Sequence, residues 1–400
     1  MRGPLLLGSA SFVICWCVTS FDPVAAAPLL LRWYDRHRRD LPWRSRPGHQ
    51  ADPYHIWLSE IMLQQTTVAA VRPYYARFLD LFPTVEALAA ADREVVLGAW
   101  AGLGYYARAR NLHACAQAVA AQGGFPRTVA GLLALPGIGA YTANAIGAIA
   151  FGLPVLPVDG NVERIASRVL ALTDPLPRGR PALHRAALRL GDADAARARP
   201  SDFAQALFDL GATLCTPRQP ACAVCPWRDG CAGLAEGIAA TLPRRAAKTA
   251  RPARHGVTFC VIDRHGGVLL RRRPDQGLLG GMTELPGTDW RDGAWSAEEA
   301  LQATGLPKGH TLPPLAAWTH AGSVGHVFSH FSLTLEIFCV RVPTIRVVSN
   351  DEHVCPPDRL ARAALPSVMR KALALAMGGG APGHAADDGH TQHRKRRVSA

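Results

Sequence analysis

The sequence predicts a multidomain protein: an all-helical domain of about ten helices, then a smaller mixed α/β domain. Three observations carry this. The chain has 400 residues, more than one ordinary core holds. Between Pro28 and Leu242 apolar residues recur at three- and four-residue spacing, with almost no alternation. Beyond residue 256 the pattern becomes short apolar runs typical of strands.

Residues 1–27 combine Arg2, an apolar run from Leu5 to Val18 and small residues at Ala25 to Ala27. They imitate a secretory signal. Gly8, Ser9 and Ser11 interrupt the run, which is too short and mixed to span a membrane. The segment is expected to be a disordered extension or a start-site artefact, and the protein to act in the bacterial cytoplasm, at the nucleoid. Residues 28–242 carry LLLRWYDRHRRDL, PYHIWLSEIMLQQTTVAAVRPYYARFLDLF and TVEALAAADREVVLGAW. Pro83, Gly102, Gly104, Gly123, Gly124 and Pro136 punctuate them. Residues 243–256 are basic, rich in Ala and Pro and poor in large apolar residues, as a linker is. In 257–377, VTFCVID, GGVLLRRR and HFSLTLEIFCVRV read as strands. SAEEALQATG and the stretch from Leu365 to Ala376 read as helices. Residues 378–400, Gly/His-rich and ending in a basic cluster, are expected to be disordered.

Within the helical region, LPGIGAYTANAI (135–146) places Gly137 and Gly139 in a tight hairpin between helices. Such a hairpin presents bare backbone N–H groups at a helix start, a seat for phosphate. Asp159 lies in VDGN, twenty residues beyond Gly139. Alone it caps the following helix; beside a nucleic-acid backbone it invites a catalytic reading. The net charge of +13 points to a polyanionic partner, although a basic proteome would leave part of the same signature. Of ten cysteines, Cys215, Cys222, Cys225 and Cys231 cluster as C-x6-C-x2-C-x5-C. Four thiolates so spaced can close on an iron–sulfur cluster or a four-sulfur zinc site. A disulfide pair is the plain alternative. Glu60 is the one acid on an otherwise apolar helix, where burial raises a carboxyl pKa.

The order of hairpin, VDGN and cysteine loop resembles the endonuclease III superfamily of helix-hairpin-helix DNA glycosylases. Within it, RRDLPWR, SEIMLQQT, GLGYYARARNLH, LPGIGAYTANAI, VDGNVERIASR and HVFSH resemble the adenine DNA glycosylases of the MutY type, from about Leu29 to Leu375. The resemblance implies a helix-hairpin-helix core with a [4Fe–4S] loop (215–231) and a Nudix-like C-terminal domain. It also implies a monomer that removes adenine opposite 8-oxoguanine or guanine in duplex DNA. Glu60 would then protonate the adenine and Asp159 stabilise the sugar cation, with Tyr141 and Asn161 lining the sugar site. Tyr141 stands where the lyases of the superfamily carry a Schiff-base lysine, so a monofunctional enzyme is expected. Gln65, Leu103 and Tyr105 match residues that probe and intercalate beside the partner base. Gly137 and Gly139 match the phosphate grip, and Arg39 and Trp43 the adenine pocket. Phe328, Ser329 and His330 match the loop that reads 8-oxoguanine, and GLLGGMTELPG matches the entry to a Nudix box. The helix after it lacks the carboxylate cluster of a magnesium-dependent pyrophosphatase. A pyrimidine-lesion lyase of the endonuclease III kind and a DNA-binding module without activity are the competing readings. Tyr141 opposes the first, and Glu60 with Asp159 the second.

Overall fold

The computed structural model describes residues 21–45, 48–247, 250–274, 277–304, 313–328, 330–361 and 363–378. In chain order its helices are α1 (Pro23–His37), α2 (Pro53–Leu63), α3 (Val68–Leu81), α4 (Val85–Ala90), α5 (Arg93–Trp100), α6 (Ala107–Ala121), α7 (Val129–Leu133), α8 (Ala140–Phe151), α9 (Gly160–Val169), α10 (Arg180–Leu188), α11 (Asp194–Ala198), α12 (Pro200–Thr213), α13 (Ala232–Ala235), α14 (Ala297–Gln302), α15 (Pro357–Leu360) and α16 (Ser367–Ala376). The strands are β1 (Ala253–Asp263), β2 (Val268–Arg272), β3 (Thr283–Glu284), β4 (Thr319–Val327), β5 (Ser332–Val342) and β6 (Glu352–Cys355).

The described residues form two compact units, one within 1–91 and 111–248, the other within 92–110 and 249–400. The short segment containing α5 thus groups with the C-terminal unit, although its sequence is as helical as its neighbours.

In the first unit every described element is helical. Its starts follow capping chemistry. Asp52 accepts from the Tyr54 N–H ahead of Pro53, and Thr67, Thr84 and Thr128 cap α3, α4 and α7. Helix α2 is buried almost all round, from Tyr54 to Met62, with Glu60 its one charged residue. A helix of that composition belongs inside a bundle. Helix α8 is built from Ala, Gly and Ile, ends on Gly152 at φ +65°, and packs against α2 and α12. Helix α12 also meets α1 and α9.

The N-terminal boundary differs from the sequence expectation. Helix α1 begins at Pro23, with Asp22 Oδ1 accepting from the Val24 N–H. Ala26 and Ala27 are buried beside Leu30, Leu31 and Tyr34, in a core shared with α9, α10 and α12. The Trp227 indole N–H donates to the Ala26 carbonyl at 2.8 Å. Residues 23–27 are the first turn of α1 rather than an extension, and Ala26 and Ala27 are core. Two small alanines, which carry little hydrophobic signal in sequence, let α1 approach Trp227.

The second unit holds a sheet of order β3-β2-β1-β5-β4, with β6 on β2. Strands β1 and β5 run parallel and the other pairs antiparallel. The first strand starts at Ala253, so the expected linker ends four residues early. Helix α16 covers one face over Cys260, Leu335 and Ile337, and a second cluster around Val257, Phe259 and Trp318 lies on the other. Strands β3, β4 and β6 escaped the sequence reading. THAGSVGHV is mostly exposed, so it lacks an apolar alternation. In α14 a capping box joins Ser296 and Glu299, and Glu299 pairs with Arg291 at 2.9 Å, which commits this acid to structure. The tail from residue 379 lies outside the described residues. No helix among the described residues is long and apolar enough to cross a membrane.

A chain starting at Pro28 is expected to lose about 2 kcal/mol or more from its first unit. It loses two buried residues, the helix cap and the acceptor of a buried indole. An unchanged urea midpoint would remove residues 23–27 from the core.

Candidate active site

Helices α2, α8, α9 and α12 and the segment before α2 enclose a cavity of about 480 Å³. Its wall includes Arg39, Trp43, Arg44, Glu60, Gln65, Tyr141, Asp159 and Asn161. The structure thus brings together residues spread over more than a hundred positions of sequence.

Glu60 sits 6% exposed. Burial pushes its carboxyl up to about 7 and the nearby Asp159 charge adds to the rise; the Tyr141 hydroxyl and Arg44 oppose it. The Tyr141 hydroxyl donates to Glu60 Oε2 at 2.6 Å. Burial, with the charge of Glu60, also raises Tyr141 well above an ordinary phenol, so it remains a proton donor.

Asp159 is the N-cap of α9. Its Oδ1 accepts from the N–H groups of Asn161 (2.9 Å) and Val162 (2.8 Å), and its Oδ2 from Asn161 Nδ2 at 2.7 Å. Burial raises its pKa, against these bonds and the Arg164 charge. Three donated hydrogen bonds at a helix N-terminus are what make a buried carboxylate tolerable. Asn161 is held in turn. Its Oδ1 accepts from Arg164 Nη2 at 2.8 Å, and a Cβ added at Gly211 on α12 would come within 2.6 Å of Asn161 Cβ. Arg164 Nε continues to the Cys215 carbonyl at 2.8 Å. One chain of bonds runs from Asp159 to the cysteine loop.

In that loop the four cysteines are free thiols lining a single apolar cavity with Ile165, Leu210 and Trp227. Arg168 Nη1 lies 3.2 Å from Cys215 Sγ and 2.7 Å from the Thr216 carbonyl. Burial pushes the Cys225 thiol up to about 12 and raises that of Cys231. No three ligating side chains among the described residues stand at metal-coordination geometry. Four soft donors around one dry cavity, with a buried guanidinium directed at a sulfur, nonetheless suit an anionic thiolate-held cluster, because metal ligation deprotonates thiols that burial alone keeps neutral.

In the hairpin between α7 and α8, Gly137 takes φ +72°, and a Cβ there would meet Asn111 Cβ at 2.5 Å. Gly139 caps α8 without a side chain. Gln65, exposed at the cavity, holds φ +58°, a strained conformation for a non-glycine residue. Trp43 is buried edge-on to Tyr75 at 5.4 Å.

In the second unit, Leu103 is buried, whereas Tyr105 is 53% exposed at φ +48° with the Arg108 guanidinium 5.5 Å from its ring. Of the two, only Tyr105 presents its side chain at the surface. Phe328 packs against Trp290 (5.5 Å) and Phe331 (4.8 Å). His330 is exposed beside a groove that includes Arg254, Trp290 and Phe331. Ser329 lies outside the described residues.

Sequence reasoning missed Arg44, Gln205 and Asp209. Arg44 ends the RRDLPWR motif, and Gln205 and Asp209 are polar residues four apart on an apolar stretch of α12. That spacing marks one helix face and was the available signal.

Residues 58–183 match the model of the HhH-GPD superfamily base excision DNA repair proteins. Residues 215–231 match the iron-sulfur binding domain of endonuclease III, and 257–375 a NUDIX domain. Fold, site and these matches define a helix-hairpin-helix DNA glycosylase of base excision repair that carries a [4Fe–4S] cluster. The adenine DNA glycosylase of Mus musculus is 36% identical over 371 residues, covering 79% of this chain and 70% of its own. That of Mycolicibacterium smegmatis is 43% identical over 232 residues, covering 56% and 76%. The Homo sapiens enzyme is 36% identical over 363 residues, and the match spans 77% of this chain and 65% of the human protein. The chain belongs to the adenine DNA glycosylases, the adenine-specific DNA N-glycosylases.

Gly211→Ala is expected to slow base excision at least about tenfold by displacing Asn161 from Asp159, while lesion-duplex affinity stays within a few-fold. Excision at the parent rate would show that the α9–α12 approach does not govern Asp159.

Proposed function

We propose that this chain removes adenine mispaired with 8-oxoguanine or guanine, acting as a monomer on duplex DNA. Glu60 is the acid and Asp159 the stabiliser of the sugar cation. The observation that carries the reading is the pairing of these two carboxyls in one cavity. Burial lifts Glu60 to about 7, so that a large share of it carries a proton near neutral pH, and hydrogen bonds support Asp159 as an anion.

The target adenine leaves the base stack and enters the cavity. Tyr141 holds Glu60 Oε2, which leaves Oε1 to carry the proton. The proton passes to a ring nitrogen of adenine. The glycosidic bond breaks with its electron pair going to the base. The Asp159 carboxylate stabilises the oxocarbenium-like sugar, or joins it covalently for a time, before water attacks C1′. Asn161 and Arg164 fix the Asp159 rotamer. Tyr141 has no amine, so it cannot form the imine of a lyase, and the reaction ends at the abasic site.

Cys215, Cys222, Cys225 and Cys231 hold the cluster in this reading. The cluster supplies no chemistry to glycosidic cleavage; it staples the loop that anchors Arg164 and Arg168. Gly137 and Gly139 grip phosphate without reading sequence. Gln65 and Tyr105 enter beside the partner base, and Trp43 and Arg39 wall the adenine. Ser329 accepts the N7–H that distinguishes 8-oxoguanine from guanine, flanked by Phe328 and His330.

Single-turnover excision is expected to fall as pH rises through about 7, because the acid must carry its proton. Glu60→Gln should bind the lesion duplex yet excise at least about a thousandfold more slowly; near-normal turnover would end the acid assignment. Ser329→Ala should narrow the preference for 8-oxoguanine over guanine, measured as a ratio of excision rates. A borohydride-trapped adduct of enzyme and DNA would favour the lyase reading.

A further inference from the structure

We infer that Asp209 is a positioning residue for the acid step: it holds and neutralises Arg39 and Arg44, so that Glu60 keeps its proton at neutral pH. The inference rests on Glu60 being the acid. Asp209 lies on α12 with no exposed surface. Its carboxylate receives four hydrogen bonds from the segment before α2. Arg44 approaches end-on, Nη1 to Oδ2 at 2.7 Å and Nη2 to Oδ1 at 2.8 Å. Arg39 donates its Nε to Oδ1 at 2.5 Å and its backbone N–H to Oδ2 at 3.0 Å. A bidentate guanidinium pair of this kind fixes orientation as well as charge.

Both arginines line the cavity that holds Glu60. The charged or titratable groups facing Glu60 are Tyr141 on α8, Asp159 at the start of α9, and Arg39 and Arg44 from the segment before α2. Arg44 already favours the ionised form of Glu60. What limits that influence is the carboxylate on its far side. Burial works against the Asp209 anion, yet the Arg44 and Arg39 contacts hold its carboxyl below the usual range. Without Asp209, a guanidinium only 9% exposed would lose its counter-ion, and Glu60, in the same cavity, is an acid that its charge already reaches. A buried cation left unpaired is costly, and ionising Glu60 relieves it. The proton that adenine needs would then be lost.

The test is single-turnover excision from a lesion duplex across about pH 5 to 9, for the parent, Asp209→Asn, Asp209→Glu and Arg44→Gln. Asp209→Asn should move the falling alkaline limb about one pH unit toward acid, with roughly tenfold slower excision at the alkaline end and a smaller change at the acid end. Asp209→Glu keeps the charge and should keep the limb in place even where its plateau drops. Arg44→Gln removes the cation and should move the limb toward alkali. A rate lowered equally at every pH in Asp209→Asn, or an unmoved limb in Arg44→Gln, overturns the inference. Where Asp209→Asn fails to fold, the direction of the Arg44→Gln limb decides. Glu60→Gln, run alongside, separates the two readings: its near-normal excision defeats the acid assignment, whereas its loss of excision with unmoved limbs in the others defeats only the role of Asp209.

Discussion

The hydrogen bonds that Asp159 accepts at the start of α9 are the constraint around which the helical unit is arranged. A buried carboxylate in a cavity must be held by donors or be neutral. Here the donors are two backbone N–H groups and the Asn161 amide. Asn161 depends on Arg164, and Arg164 on carbonyls at Cys215 and Gly211. The cysteine loop is therefore structurally continuous with the cavity that Asp159 lines. It reaches that cavity through guanidinium bonds to main-chain oxygens.

A second set of charges, Asp209 with Arg39 and Arg44, ties α12 to the segment before α2. The two sets differ in character. At Asp159 a carboxylate is surrounded by neutral donors and a distant cation, while at Asp209 it meets two cations directly. Glu60 lies between them on a helix that offers no polar neighbour of its own beyond Ser59, whose hydroxyl bonds to the Ile56 carbonyl. Its protonation is set from outside its helix.

Much of this was legible in sequence because the residues concerned break a local pattern. Glu60 interrupts an apolar helix, Asp159 precedes a helix as a cap does, and four cysteines crowd one loop. Glycines 137 and 139 stand where only a hairpin explains them. What stayed hidden has physical reasons. Asp209 and Gln205 look like ordinary helix polars until α12 is known to be buried on that face. Leu103 and Tyr105 are two positions apart on a loop, and only the fold decides that one is interior and the other at the surface. Strand β4 is an edge strand held by pairing with β5 more than by an apolar face. Residues 23–27 carried only small side chains, so nothing in their composition announced a core.

The bond from Trp227 to the Ala26 carbonyl joins residues 201 positions apart. Helix α1 precedes the rest of its core in the chain, and that core is completed only by α12 and by a tryptophan inside the cysteine loop. The helical unit therefore cannot close as it emerges. Helix α1 waits, with its apolar face open, until the cysteine loop has been translated, so its burial is tied to the completion of that loop.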